Sequence, residues 1–234
     1  MEQAPSLTLE ERFAAIVNGT YRARSPSRRD PTMSWRNNLA DTIEMSMEKY
    51  NHHKWGFVVY RTTYSDDEKW ARVVCMLQAS TVDTLEFYKG MDMMDSRIET
   101  IIEDASRLNG ADSLAVREHF DQWVTENSFL ENPHAAVEHQ AQLPLAPRYR
   151  FAIQIDEASM NSILNEPTED IRPGQEDIGW IKLIHKNWIY DPESDSDGDT
   201  ARGQPPIEGI TDEDVGWMKQ NWRNAHRPPI VDTY

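Results

Sequence analysis

Cysteine is nearly absent from this chain. The single Cys75 cannot close an intrachain disulfide and leaves no thiolate set for a structural zinc site. Long apolar runs are missing as well, and none approaches the roughly 20 residues that a bilayer span needs. The opening "MEQAPSLTLEERFAAIV" has no cationic region leading into an apolar stretch, so no signal peptide is expected and a cytoplasmic location is. Glycine is scarce: ten are present, none in the GxGxxG spacing that cradles a dinucleotide phosphate. Positive charge is also short. With 24 Lys and Arg against 40 Asp and Glu, the formal net charge is −16, which argues against broad coating of nucleic acid or anionic membrane.

Aromatic residues, in contrast, are well supplied. Eight tryptophans within a 38% hydrophobic composition indicate a folded body rather than a disordered chain. At 234 residues the chain is long enough for one good core with peripheral segments. The expected division is 1–50 as N-terminal helices and a basic loop, 51–190 as the core, and 191–234 as an acidic loop and a C-terminal helix.

Periodicity then locates the elements. Leu9, Phe13, Ile16 and Val17 predict a helix over 8–18, and Trp35, Leu39, Ile43, Met47 and Tyr50 predict another over 35–50. "WGFVVYRT" reads as a buried strand by its β-branched and aromatic content. Ser65 followed by Glu68 has the spacing of a capping box, with Asp66 and Asp67 where a helix start favours negative charge. The helix so begun should run to about Tyr88 and bury Trp70, Val73 and Leu77. Further strands are expected at 97–104, 149–156 and 179–188, and helices at 111–127, 157–164 and within "TDEDVGWMKQNW". Two β-α-β units in this order predict an α+β fold, a ferredoxin-like split β-α-β sandwich with helices on one face of an antiparallel sheet.

Several clusters invite chemistry, and each has a structural counterpart. Arg61, Tyr64, Asp66 and Asp67 stand at a strand-to-helix corner, where a rigid scaffold exposes backbone to a ligand; a capped helix start accounts for the aspartates but not for Arg61 or Tyr64. Asp156 and Glu157 hold the matching corner of the other unit, again as a carboxylate pair or a helix start. "ESDSDGD" imitates an EF-hand loop, but its twelfth position is Gln204 and prolines flank it, so an exposed acidic loop is expected. His134 and His139 lie five apart and His52 and His53 are adjacent, so no histidine metal site is expected. Cys75 sits among core-facing residues and reads as a buried, inert thiol. Arg22, Arg24, Arg28 and Arg29, with Arg36, form the one basic cluster.

"WGFVVYRTTYSDDEKW", "REHFDQWV", "YRFAIQIDEASM", "GWIKLIHKNW" and "IEGITDEDVGWM" together resemble a family of small fungal hypothetical proteins over about residues 50–222. That family is similar in turn to arginine-containing cyclodipeptide synthases. The resemblance implies an enzyme of secondary metabolism that joins two aminoacyl groups from aminoacyl-tRNA into a cyclic dipeptide, with no cofactor and no metal. It implies Asp66 and Asp67 as carboxylates for a substrate guanidinium, and Arg61, Tyr64 and Tyr60 as groups orienting the ester. Asp156 and Glu157 would assist binding, and Arg22, Arg24, Arg28 and Arg29 would contact RNA. One departure stands out: the synthases carry DDxxE, whereas Asp66-Asp67-Glu68-Lys69-Trp70 ends in tryptophan. The alternatives are a non-enzymatic interaction protein, or a cofactor-free isomerase or cyclase.

Overall fold

The computed structural model describes residues 8–18, 25–133, 143–165, 179–188 and 216–225. Arg22, Arg24, His134, His139 and the acidic loop at 191–206 lie outside them.

The first helix, α1 (Leu9–Val17), is closed at its start by a Thr8–Glu11 capping box, and it buries no residue. Helix α2 (Leu39–Tyr50) follows a short 3-10 turn at Trp35–Asn37 and packs Ala40 and Ile43 against Trp55, Leu85 and Met93. Strand β1 (Val58–Arg61) is buried at all four positions, as its β-branched and aromatic residues predict. Helix α3 (Asp67–Phe87) buries Trp70, Val73 and Leu77 as expected. Its cap differs from the expectation: Asp66, not Ser65, accepts the Lys69 amide, and the Ser65 hydroxyl turns back to Thr63. Aspartate one residue nearer the helix fills the capping position equally well. Cys75 is exposed on this helix rather than buried, because the core-facing stripe runs through Val73 and Leu77 and leaves position 75 on the opposite side.

Strand β2 (Thr100–Ile102) and the short α4 (Ala105–Leu108) lead into α5 (Ser113–Glu131). Then come α6 (Pro147–Arg150), β3 (Phe151–Ile155), α7 (Glu157–Leu164), β4 (Trp180–His185) and β5 (Trp217–Asn221). The tail was expected to be helical, but 217–221 is the last strand of the sheet. Antiparallel pairing with β4 overrides the helical spacing of Met218 and Trp222.

The fold is α+β. The five strands stand in the order β2-β1-β3-β4-β5. Both neighbours of β1 run parallel to it, whereas β3–β4 and β4–β5 are antiparallel. The sheet is therefore mixed, and helices cover both of its faces rather than one. On one face Val59, Ile153 and Ile181 meet Trp70 and Val73 of α3 and Met160 of α7. On the other, Val58, Tyr60 and Ala152 meet Val116, Phe120 and Trp123 of α5. Alternation along β1 and β3 divides each strand between these two cores.

One buried cation ties the layers together. Arg148 donates to both carboxylate oxygens of Glu131, to the Gly56 and Ile98 carbonyls and to the Thr100 hydroxyl. All five of its N–H groups are thereby used.

Candidate functional site

The sheet order sets where a ligand could enter. From β1 the chain passes through α3 to β2 on one side. It then returns through α5 to β3 on the other side. Above the carboxyl ends of β1 and β3, those two strands run on into α3 and α7 on one face, whereas residues 109–112 lead from β2 and α4 into α5 on the other, so a gap opens between them. Open sheets bind ligands in such a gap.

A crevice of about 390 Å³ opens there. Thr62 and Thr63 continue β1 into it, Asp156 and Glu157 follow β3, Lys182 comes from β4, and residues 109–112 form the far wall. The wall is pinned by backbone: the Gly110 amide donates to the Thr62 carbonyl at 3.0 Å. Gly110 takes φ +74°, a conformation that residues with a Cβ adopt only at a cost. Beneath the floor, Gln154 is 1% exposed. Its amide nitrogen donates to the Ala111 carbonyl at 2.9 Å and to the Thr62 hydroxyl at 3.3 Å.

The charged centre of the crevice is Asp156 with Lys182, whose Nζ lies 3.1 Å from the Asp156 carboxylate. Lys182 is only 8% exposed and stands over the Trp217 ring. Burial alone would raise the Asp156 carboxyl. The Ser159 amide and the Lys182 ammonium outweigh it and hold the group below the usual carboxylate value. Asp156 also caps α7 through its capping box with Ser159, as its position at the end of the strand predicts. Asp156 is thus ionised at neutral pH, beside the Lys182 cation, at the wall of the crevice.

The other candidates are distributed differently. Arg61 is buried, and its guanidinium is turned towards groups of the protein. It donates to Asp67 and to the Thr63 carbonyl, lies 3.6 Å from Glu103, and stacks on Tyr64 and Trp70. Glu103 in turn accepts the Trp70 indole N–H. Tyr64 donates to the Arg61 carbonyl. The strand-to-helix corner that groups Arg61, Tyr64 and Asp67 in sequence thus surrounds a buried guanidinium, with the Asp67 carboxylate exposed at its rim, and Asp66 caps α3. Tyr60 points to the opposite face of the sheet, where its hydroxyl meets His119 Nδ1 at 3.0 Å. Burial raises the Tyr60 phenol well above its ordinary value.

Arg28 and Arg29 sit in the loop before α2 and are held by acids. Arg28 pairs with Glu44 and Glu48; Arg29 pairs with Asp41, Glu44 and Asp92. Among the described residues no group of three or more His, Cys, Asp or Glu could hold a metal ion, and no helix is long and apolar enough to cross a membrane.

Of the expected residues, then, Asp156 and Glu157 line the crevice. Thr62, Thr63, Asp112 and Lys182 were not anticipated there. A signal for Lys182, and for Gln154 beneath the floor, was present: both interrupt apolar strands, "WIKLIH" and "FAIQI", and a polar side chain on a buried strand demands a partner. The 109–112 wall had no comparable signal, because only the crossover brings it over β1.

Compared with known proteins, the chain matches no family model, no curated protein and no solved structure.

Proposed function

We propose that this protein is a cofactor-free enzyme acting on a small molecule in the crevice at the carboxyl ends of β1 and β3. The observation that carries this reading is the ionised Asp156–Lys182 pair at the wall of that crevice. Asp156 takes a proton from the substrate, and the Lys182 ammonium steadies the negative charge that develops on a neighbouring oxygen. Proton abstraction of this kind serves an isomerase or a cyclase.

It serves equally the narrower reading, the joining of two aminoacyl groups from aminoacyl-tRNA into an arginine-containing cyclic dipeptide. In that reaction the same pair would deprotonate an α-amine and stabilise the tetrahedral oxyanion. The resemblance supports this narrower reading. The engagement of Arg28 and Arg29 by carboxylates weighs against those two residues as RNA contacts.

The test is expression of wild type, Lys182→Met and Asp156→Asn in a heterologous host, followed by mass spectrometry of small-molecule extracts. A new metabolite made by wild type and lost in both folded variants supports the enzyme reading. An arginine-containing diketopiperazine would select the narrower one. If no product appears and amino acids, amines and host extracts leave the resonances of Thr62 and Ala111 unmoved, the crevice reading fails and the interaction protein takes its place.

A further inference from the structure

The basic segment that the crevice leaves unused carries a different kind of site. In "RARSPSRRD" Ser25 precedes Pro26, and Arg28 stands three residues after the serine. No other serine or threonine in the chain is followed by proline. A proline there suits protein kinases whose cleft offers no acceptor to the next amide, since proline has no N–H to leave unpaired. A cation two residues beyond the proline suits an acidic patch beside the same cleft, the charge matching by which kinases select substrates.

The segment holds two serines, and their surroundings separate them. Ser27 has Arg24 three residues before it and Arg22 five, a spacing that suits arginine-directed kinases. It is only 3% exposed, however, and its Oγ accepts the Arg29 amide at 3.0 Å and the Asp30 amide at 2.9 Å. Ser25 is exposed, and its hydroxyl makes no hydrogen bond among the described residues.

The chain at Ser25 is extended, as a residue before proline prefers. Pro26 forms an antiparallel bridge with Ser34, and the Ser25 carbonyl accepts the Trp35 amide at 3.1 Å. The Arg28 side chain is 67% exposed although it pairs with Glu44 and Glu48, and a pair so open to water is weak. Seating residues 25–28 in a kinase cleft releases the backbone hydrogen bonds of Ser27 to Met33, Trp35 to Ser25 and Arg28 to Asp41. It removes no residue from the three apolar clusters, so the core stays folded while the segment opens locally.

We propose that Ser25 is a phosphorylation site of a proline-directed protein kinase. The Ser25 oxygen attacks the γ-phosphorus of ATP, the bond from that phosphorus to the departing ADP oxygen breaks, and the hydroxyl proton passes to the base of the kinase. The product adds a charge of about −1.5 to −2 at pH 7 to the one basic cluster of an acidic chain. Arg36, exposed and without an ion pair among the described residues, lies next to Trp35 and is a cation available to that phosphate.

The test is incubation of the full chain with a cyclin-dependent kinase, its cyclin and Mg-ATP, read by intact mass and by fragmentation of the phosphorylated peptide. One phosphate is expected on Ser25 and none on Ser27. Ser25→Ala, a small change at an exposed position, should take up none. Pro26→Ala should lose most of the incorporation, and Arg28→Ala should slow it several-fold. The proposal is overturned by a wild-type chain that stays unmodified while a histone substrate is phosphorylated in the same tube. Label on Ser27, equal uptake by Ser25→Ala, or a rate unchanged by Pro26→Ala overturns it as well.

Discussion

Replacing Lys182 by methionine is the most direct way to weigh the crevice pair. The stem of the side chain is kept and the charge removed, so the effect isolates the interaction with Asp156. At the observed 3.1 Å, two unit charges in a medium of effective dielectric about 20 attract by roughly 5 kcal/mol before desolvation is subtracted. Breaking a fully buried pair costs about 3–5 kcal/mol and an exposed pair about 0–1. The Lys182 side chain is 10% exposed and that of Asp156 is 25% exposed, so the pair falls between those limits. The expected loss at pH 7 is about 1–3 kcal/mol, because Asp156 keeps the Ser159 amide and part of its solvent.

The pH dependence supplies a second, sharper readout. The folded-state pKa of Asp156 is depressed below its ordinary value. Such a group adds stability above the unfolded carboxylate value, about pH 4, and that stability is lost as pH falls through the lower folded value. Without Lys182 the carboxylate titrates higher, so Lys182→Met should lose less stability than wild type between about pH 5 and pH 2. Urea unfolding at pH 7 and through the acid range measures both effects. A variant as stable as wild type at pH 7, with an unchanged acid slope, would refute the reasoning and leave the pair without an energetic role.

Other substitutions test the scaffold around the crevice. Arg148→Met strips partners from Glu131 and two buried carbonyls, so a loss of about 3–5 kcal/mol is expected in denaturant melts, with wild-type-like stability as the refuting result. Asp66→Ala should lower the melting temperature through loss of the α3 cap while Ser65→Ala leaves it unchanged; the reverse order would restore serine as the cap. His52 titrates below its unfolded value, so the protein should become less stable as pH falls from about 7 to 5. His52→Leu should flatten that part of the curve, and a variant with the wild-type slope would assign it elsewhere.

Much of the architecture was legible because local pattern and tertiary role agree there. "WGFVVYRT" contains a strand buried on both faces, and the stripe of Trp70, Val73 and Leu77 does bury α3 against it. Reading failed where partners distant in sequence decide. The spacing of Met218 and Trp222 suits a helix, yet β4 offers an open edge and 217–221 pairs with it. The covered second face followed from the crossover through α5, which nothing inside a single β-α-β unit reveals. The candidate site divided in the same way. Asp156 and Glu157 were visible as acids at a strand end, but Arg61 looked available until its partners Asp67, Glu103, Tyr64 and Trp70 were assembled around it.

The placement of β1 has a consequence for how the chain matures. This central strand pairs with β3, and the Thr62 amide finds its acceptor on Ile155, 93 residues further along. At about 5–20 residues per second, synthesis leaves β1 without that neighbour for roughly 5–20 s. Throughout that interval the apolar residues Val58 and Val59 stand beside an open strand edge, the arrangement most prone to pairing with another chain. Arg148 arrives only a few residues before β3, so the cation that fastens Gly56, Ile98 and Glu131 cannot act until the same moment. Pairing of β1 with β3 and locking of the amino end of β1 therefore coincide in one late, long-range step. Folding should be slow for a chain with this much helix, because β1 must wait for β3, and the edge of β3 for β4.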